Sequence, residues 1–165
     1  MGYVVGIVVV VVGILASVAL HEVGHMVPAK KFGVLVPDYA VGFGPALWKK
    51  KIGETTYALR AVLLGGYVKI LGMYPPAREG ARTLNRKGRP TLAEEARQAS
   101  AEDLPEGQEA RAFYNLSAPK KIVVMVSGPL MNLLICVVLS AITMIGIGAP
   151  RASTTLAAVS QTVAG

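Results

Sequence analysis

The sequence predicts a membrane α-helical protein. Two transmembrane helices are joined through a small membrane-associated antiparallel β-sheet or hairpin and a flexible cytoplasmic linker. Three observations predict it. No charged residue occurs from Gly2 to Leu20 or from Ile122 to Pro150. A bilayer core about 30 Å thick needs roughly 20 predominantly apolar residues in a helix, and both runs reach or approach that length. Between them, short β-favouring runs punctuated by glycine and proline give way to a charged, aromatic-free stretch.

The first apolar run, with its flank, occupies residues 1–31. Its core, Val4 to Leu20, is rich in Val, Ile and Leu, and its length favours a spanning helix, from about Tyr3 to Lys30, over a buried strand. Pro28 is expected to loosen or end the last turn. The run lacks the basic leading region and small-residue cleavage site of a secretory signal, so it is read as a retained helix.

Residues 32–74 form the membrane-associated β region. Val34–Val41, Ala46–Lys51, Thr55–Leu64 and Tyr67–Leu71 read as strands. Gly42-Phe43-Gly44-Pro45 and Gly65-Gly66 separate them, and Ile52-Gly53-Glu54 is the hairpin turn. The apolar residues here need cover, and the membrane face offers it; Trp48 and Tyr67 suit its interfacial belt.

Residues 75–112 are dominated by charges, Pro, Gly, Ala and Gln. They read as a solvated linker with a short helix over Thr91–Ser100. The second spanning helix lies in residues 113–150, from about Ala118 to Gly148. Gly128-Pro129 is expected to kink it, and Asn132 is its only side-chain amide. Residues 151–165 are small and polar and read as the start of a further domain. The single cysteine, Cys136, excludes an internal disulfide framework and reads as a packed apolar residue.

The net charge is +7, which brings nucleic acid into consideration. Charge placement argues against it. Sixteen of the seventeen Lys and Arg residues fall between Lys30 and Lys121, with Lys30-Lys31 and Lys120-Lys121 flanking the apolar runs. Basic residues beside helix ends mark the cytoplasmic side. The expected arrangement is therefore a multi-pass protein of the cell (inner or plasma) membrane, with extracytoplasmic termini, a cytoplasmic 32–119 loop, the bilayer as a partner and no nucleic acid.

The residues that carry chemistry are His21-Glu22-Val23-Gly24-His25. Two histidines four apart share one helix face, so both imidazoles can reach one ion, and borderline nitrogen donors suit Zn2+. Glu22 is adjacent and can take a proton from water as it attacks a peptide carbonyl. These are the only histidines in the chain. Ionisable residues inside an apolar span are costly and point to function. The bland alternative is that the three side chains bond to one another or to interfacial water. If Lys30 and Lys31 mark the interface, His25 lies about 8 Å and His21 about 14 Å inside it, so a polar cavity must bring water to them.

This motif at the end of a first spanning helix resembles the site-2 protease family of intramembrane zinc metalloproteases. Val41-Gly42-Phe43-Gly44-Pro45 with Leu47-Trp48, Leu64-Gly65-Gly66-Tyr67-Val68-Lys69, Phe113-Tyr114-Asn115 and Ser127-Gly128-Pro129-Leu130-Met131-Asn132 also resemble that family's segments, in the same order. The closest likeness is to bacterial members that cleave anti-sigma factors.

The resemblance implies an enzyme in which His21 and His25 hold Zn2+ and Glu22 is the general base. It also implies a hairpin that dips toward the membrane. There Gly65, Gly66, Tyr67 and Val68 hold an unwound strand of a transmembrane protein substrate, with anti-sigma factors the substrate class. Asn132 is expected to face the site or the interface with the first helix. The family's third ligand, an Asp in a later Leu-Asp-Gly motif, has no counterpart among these residues, and Asp38 is a poor substitute. The family's PDZ-like domain would begin near residues 151–165. The chain is therefore expected to be incomplete and inactive alone, and the alternative reading is a catalytically silent membrane scaffold or substrate-binding protein.

Overall fold

The computed structural model describes residues 2–85, 87–146 and 148. The segment expected to open a further domain, 151–165, lies outside them. The elements in order are helix α1 (Gly2–Lys31), strands β1 (Asp38–Ile52) and β2 (Thr55–Lys69), helix α2 (Leu92–Glu102), two single 3-10 turns (Glu109–Arg111 and Phe113–Asn115) and helix α3 (Ala118–Gly146).

The two apolar runs form the two long helices, since a helix pairs its backbone polar groups without borrowing a partner strand. At 1.5 Å per residue the 30 residues of α1 span about 45 Å, and α3 is almost as long. Both are long and apolar enough to cross a membrane by length and composition. α1 does not end at Pro28. The proline takes an interior position, and its carbonyl accepts the Phe32 N–H at 2.9 Å. Lys30 and Lys31 close the last turn, where cations complement the helix dipole.

The β region differs from expectation. The four short strands are two of fifteen residues each, because the glycines expected to break them bend a continuous ladder instead. Gly42, Gly44 and Gly65 adopt φ of +90°, +81° and +110°, conformations open to glycine, and the register shifts there. The turn is where it was expected, with Gly53 at φ +62° and Ile52 opposite Thr55.

The antiparallel register runs from that turn to Asp38 opposite Lys69, through Val41–Gly66, Ala40–Tyr67 and Tyr39–Val68. Asp38 to Val41 also stand beside Thr56 to Leu59 with both numbers rising together, so the hairpin is folded over on itself. The first residues of β1 lie between the two ends of β2. Gly66–Lys69 then forms a sheet edge.

A compact core gathers where hairpin and helices meet: Met26, Ala29, Val34, Val36, Tyr39, Phe113 and Val124. Thr55 is fully buried within it. Its hydroxyl donates to the Val36 carbonyl at 2.6 Å and accepts from Lys30 Nζ at 2.9 Å. Leaving such a buried group unpaired costs about 1–3 kcal/mol.

The 75–112 segment carries α2, which starts one residue later and ends two residues later than expected, with Thr91 capping its first turn. Lys69 Nζ pairs with Asp103, and Tyr74 N–H donates to Ser100 Oγ. Arg111 is a second tie. Its guanidinium forms a fork on both Glu54 oxygens at 2.7 Å, and its Nε donates to the Gly33 carbonyl. The turn of the hairpin, the exit of α1 and the approach to α3 are thus held at one point.

The hydrogen-bonded Arg111 holds the Glu54 carboxyl below its ordinary value of 4.5; Lys30 adds to the shift, and desolvation opposes it. The folded state favours the charged carboxylate. The stability this contributes is present above the unfolded value and is lost as pH falls through the lower folded one. Thermal unfolding of wild type is expected to worsen more than that of Glu54→Gln between pH 5 and about 3. Equal slopes would show that the pair does not contribute.

Candidate metal centre

The two histidines predicted to share a face converge. Their Nε2 atoms are 3.2 Å apart, with rings nearly perpendicular at 81°. At metal–nitrogen distances of about 2.0–2.1 Å and a tetrahedral angle, two ligand nitrogens stand about 3.3–3.4 Å apart. The separation fits a shared zinc ion.

The orientation of His25 has a cause on the other helix. Its Nδ1 lies 2.7 Å from the Val124 carbonyl oxygen. A carbonyl only accepts, so Nδ1 carries the proton and Nε2 presents a lone pair, the tautomer a metal needs. Ser127 Oγ donates to the same carbonyl at 2.8 Å.

Two glycines make this approach possible. A Cβ on Gly24 would lie 2.6 Å from the Ser127 carbonyl oxygen and 3.0 Å from the Gly128 Cα. A Cβ on Gly128 would overlap the His25 ring at Nε2, Cε1 and Cδ2. Gly128 is the seat of the imidazole, and α3 runs on as helix through Pro129.

His21 Nδ1 is buried with no hydrogen-bond partner among the described residues. No third His, Cys, Asp or Glu among them joins the pair to complete a metal set. Asp38 opens β1 opposite Lys69 and is not in such a group. Two histidines plus an adjacent carboxylate therefore fit part of a catalytic zinc site, which normally has three protein ligands.

Glu22 turns toward the hairpin. A Cβ on Gly66 would lie 3.4 Å from Glu22 Cγ, 3.2 Å from Val18 Cγ1 and 2.9 Å from the Ala40 carbonyl oxygen, so only glycine lets β2 pass this close. At Gly65 an added Cβ would meet the Phe43 ring at 2.9 Å. Tyr67 is held by Arg60, which donates to its hydroxyl at 2.8 Å and lies 5.5 Å from its ring centroid. Val68 stands opposite Tyr39. Gly66 thus comes against Glu22, and Tyr67 and Val68 follow along the sheet edge.

Tyr39 was not singled out from the sequence. Its hydroxyl donates to the Ala19 carbonyl at 2.9 Å, tying β1 to the turn of α1 just before Glu22. Burial raises its pKa first, and the charge of nearby Glu22 and then Tyr57 add to this. Asn132 lies at the α1 interface, where its Oδ1 accepts from Ser17 Oγ at 3.4 Å, one helical turn before His21. The two residues line a groove of about 770 Å³ between the helices.

The chain is similar in sequence to known proteins. Residues 9–164 match the family described as Peptidase family M50. The zinc metalloprotease Rip1 of Mycobacterium tuberculosis is 40% identical over 139 residues, covering 84% of this chain and 28% of Rip1. Rip1 of Mycolicibacterium smegmatis is 34% identical over 139 residues, covering 82% of this chain and 28% of that protein. A Chlamydia pneumoniae protein provisionally named a zinc metalloprotease is 38% identical over 120 residues, covering 73% of this chain and 16% of its own length. The chain spans little more than a quarter of the length of the Rip1 relatives.

Gly128→Ala should displace the His25 imidazole without touching a ligand. Zinc affinity of the full-length protein is expected to fall about 10- to 100-fold, the range for lost support around a ligand. Metal content after dialysis against graded chelator measures this; retention equal to wild type would contradict the seat assigned to Gly128.

Proposed function

The chain belongs to peptidase family M50, the site-2 protease family, and from that premise we propose that it is the zinc-binding part of an intramembrane endopeptidase acting on transmembrane protein substrates. The observation that carries this reading is the pair of Nε2 atoms 3.2 Å apart, with Glu22 between them and a sheet edge.

His21 and His25 would hold the zinc, with the third ligand supplied by residues outside those described. A zinc ion bound there would supply a water of pKa about 7 and Lewis acidity. Glu22 takes the proton from the attacking water on its carboxylate and returns it to the departing amide nitrogen. The Val124 carbonyl keeps the His25 proton on Nδ1 throughout. The edge at Gly66, Tyr67 and Val68 pairs with an opened segment of substrate, because a helix exposes its peptide bonds only once unwound. Asn132, with its Oδ1 engaged by Ser17, is positioned to contribute to substrate or to helix contact.

Placement in the membrane is part of the same proposal. The aliphatic side chains of α1 from Val4 to Ile14 and of α3 from Leu130 to Ile145 stand largely exposed, a surface that water disfavours and lipid accepts. The basic residues flanking them support a cytoplasmic side for the 32–119 loop. Anti-sigma factors are the substrate class that the resemblance suggests. A silent scaffold is the second reading, favoured by the lack of a third ligand among the described residues.

Glu22→Gln in the full-length protein separates the readings. Cleavage of a transmembrane reporter is expected to drop about 10²–10⁴-fold with zinc retained. Undiminished cleavage removes the general-base role, and a metal-free wild type supports the scaffold. In membranes washed with alkaline carbonate, the protein should stay in the pellet until detergent is added; release by carbonate alone would refute the membrane placement.

A further inference from the structure

The segment leading into α3 helps build a basic pocket whose lining excludes His21, Glu22 and His25. Arg78, Arg97 and Lys121, with Tyr114, Pro75 and Pro76, line a cavity of about 560 Å³. Among the described residues no carboxylate lines it. The nearest acid bonded to a lining residue is Glu94, 3.4 Å from Arg97 Nη1 and shared with Gln98. Lys121 Nζ donates to the Tyr114 carbonyl at 2.8 Å, which fixes the ammonium and leaves two of its protons free. The Arg78 side chain makes no hydrogen bond or ion pair among the described residues.

A second observation gives the pocket its context. Lys121 is the last charge before the apolar run of α3, and the next turn presents bare aliphatic surface: Ile122 is 62% exposed, Met125 51% and Val126 51%. Concentrated positive charge therefore borders directly on a surface suited to hydrocarbon. A phospholipid has the matching construction, with a phosphate diester joined to acyl chains.

We propose that this pocket binds the phosphate of an anionic phospholipid headgroup, with the acyl chains lying along the exposed aliphatic side of α3. The proposal rests on the membrane placement given above and not on the proteolytic chemistry. Guanidinium groups grip phosphate oxygens in a fork, Lys121 adds a point charge, and Tyr114 closes one side. Basic residues at this level are drawn to the anionic cytoplasmic leaflet. Occupancy would anchor the 75–81 loop and α2 against the start of α3.

The test uses the full-length protein in detergent, titrated calorimetrically with dihexanoyl-phosphatidylglycerol, dihexanoyl-phosphatidylcholine or inorganic phosphate. The expected result is saturable binding of phosphatidylglycerol, with phosphatidylcholine at least about tenfold weaker. Arg78→Glu should weaken phosphatidylglycerol at least about tenfold, and Arg78→Gln with Arg97→Gln similarly, while Arg89→Glu, outside the pocket, stays within about twofold. Zinc content, unchanged in every variant, confirms that the fold is kept; Arg78→Gln alone serves if a variant loses it.

Inorganic phosphate binding as tightly as the lipid would overturn a lipid headgroup in favour of a free anion. Binding unaffected by Arg78→Glu, or no preference for phosphatidylglycerol, would overturn the site. A protein that needs detergent yet ignores the lipid defeats this proposal alone, whereas one that leaves the membrane in carbonate defeats the placement beneath it.

Discussion

The site depends on how closely α1 and α3 approach at Gly24 and Gly128. Either glycine given a side chain would strike the opposite helix, at the Ser127 carbonyl or the His25 ring. With both bare, the Val124 carbonyl comes within 2.7 Å of His25 Nδ1 and fixes the imidazole proton. Two histidines one turn apart on a single helix define a direction; the contact from the second helix defines a tautomer and an angle. The buried Val124 side chain joins the core beneath the hairpin, so helix packing, ligand orientation and the position of β1 share one group of residues.

The hairpin is placed by a different device. Folding β1 and β2 over puts Asp38–Val41 between two stretches of β2 and brings Gly66 against α1 beside Glu22. Tyr39 secures this from the β1 side through the Ala19 carbonyl, and Arg60 secures Tyr67 and the Gly44 carbonyl from within the hairpin. The surroundings of Glu22 and the sheet edge are consequently held by bonds between elements and do not rely on the loop's own stiffness.

Much of this was legible in sequence because it is local. A repeat of four residues puts His21 and His25 on one face wherever a helix forms, and the charge-free runs give the helices. The turn at Gly53 followed from its residues. What stayed hidden is non-local. Gly42 and Gly65 read as breaks because glycine serves turns and bulges alike, and the pairing of Tyr39 with Tyr57 as well as Val68 has no short-range signal. The partner of His25 is a backbone carbonyl, which every residue possesses, so no motif could name Val124. Gly128 stood out, as a kink before Pro129 and as a small residue suited to helix contact; its role as room for an imidazole needs the other helix in view.

The bond from His25 to Val124 has a thermodynamic consequence. It joins His25, the residue proposed to hold the metal, to the backbone of another helix, so ion binding and helix association would be linked equilibria. Whatever free energy the paired helices add to metal affinity, a bound metal would return to their association in equal measure. Loading the site would thus also lock the register of α1 against α3, and a force that slides one helix past the other would be felt as a change in how tightly the ion is held.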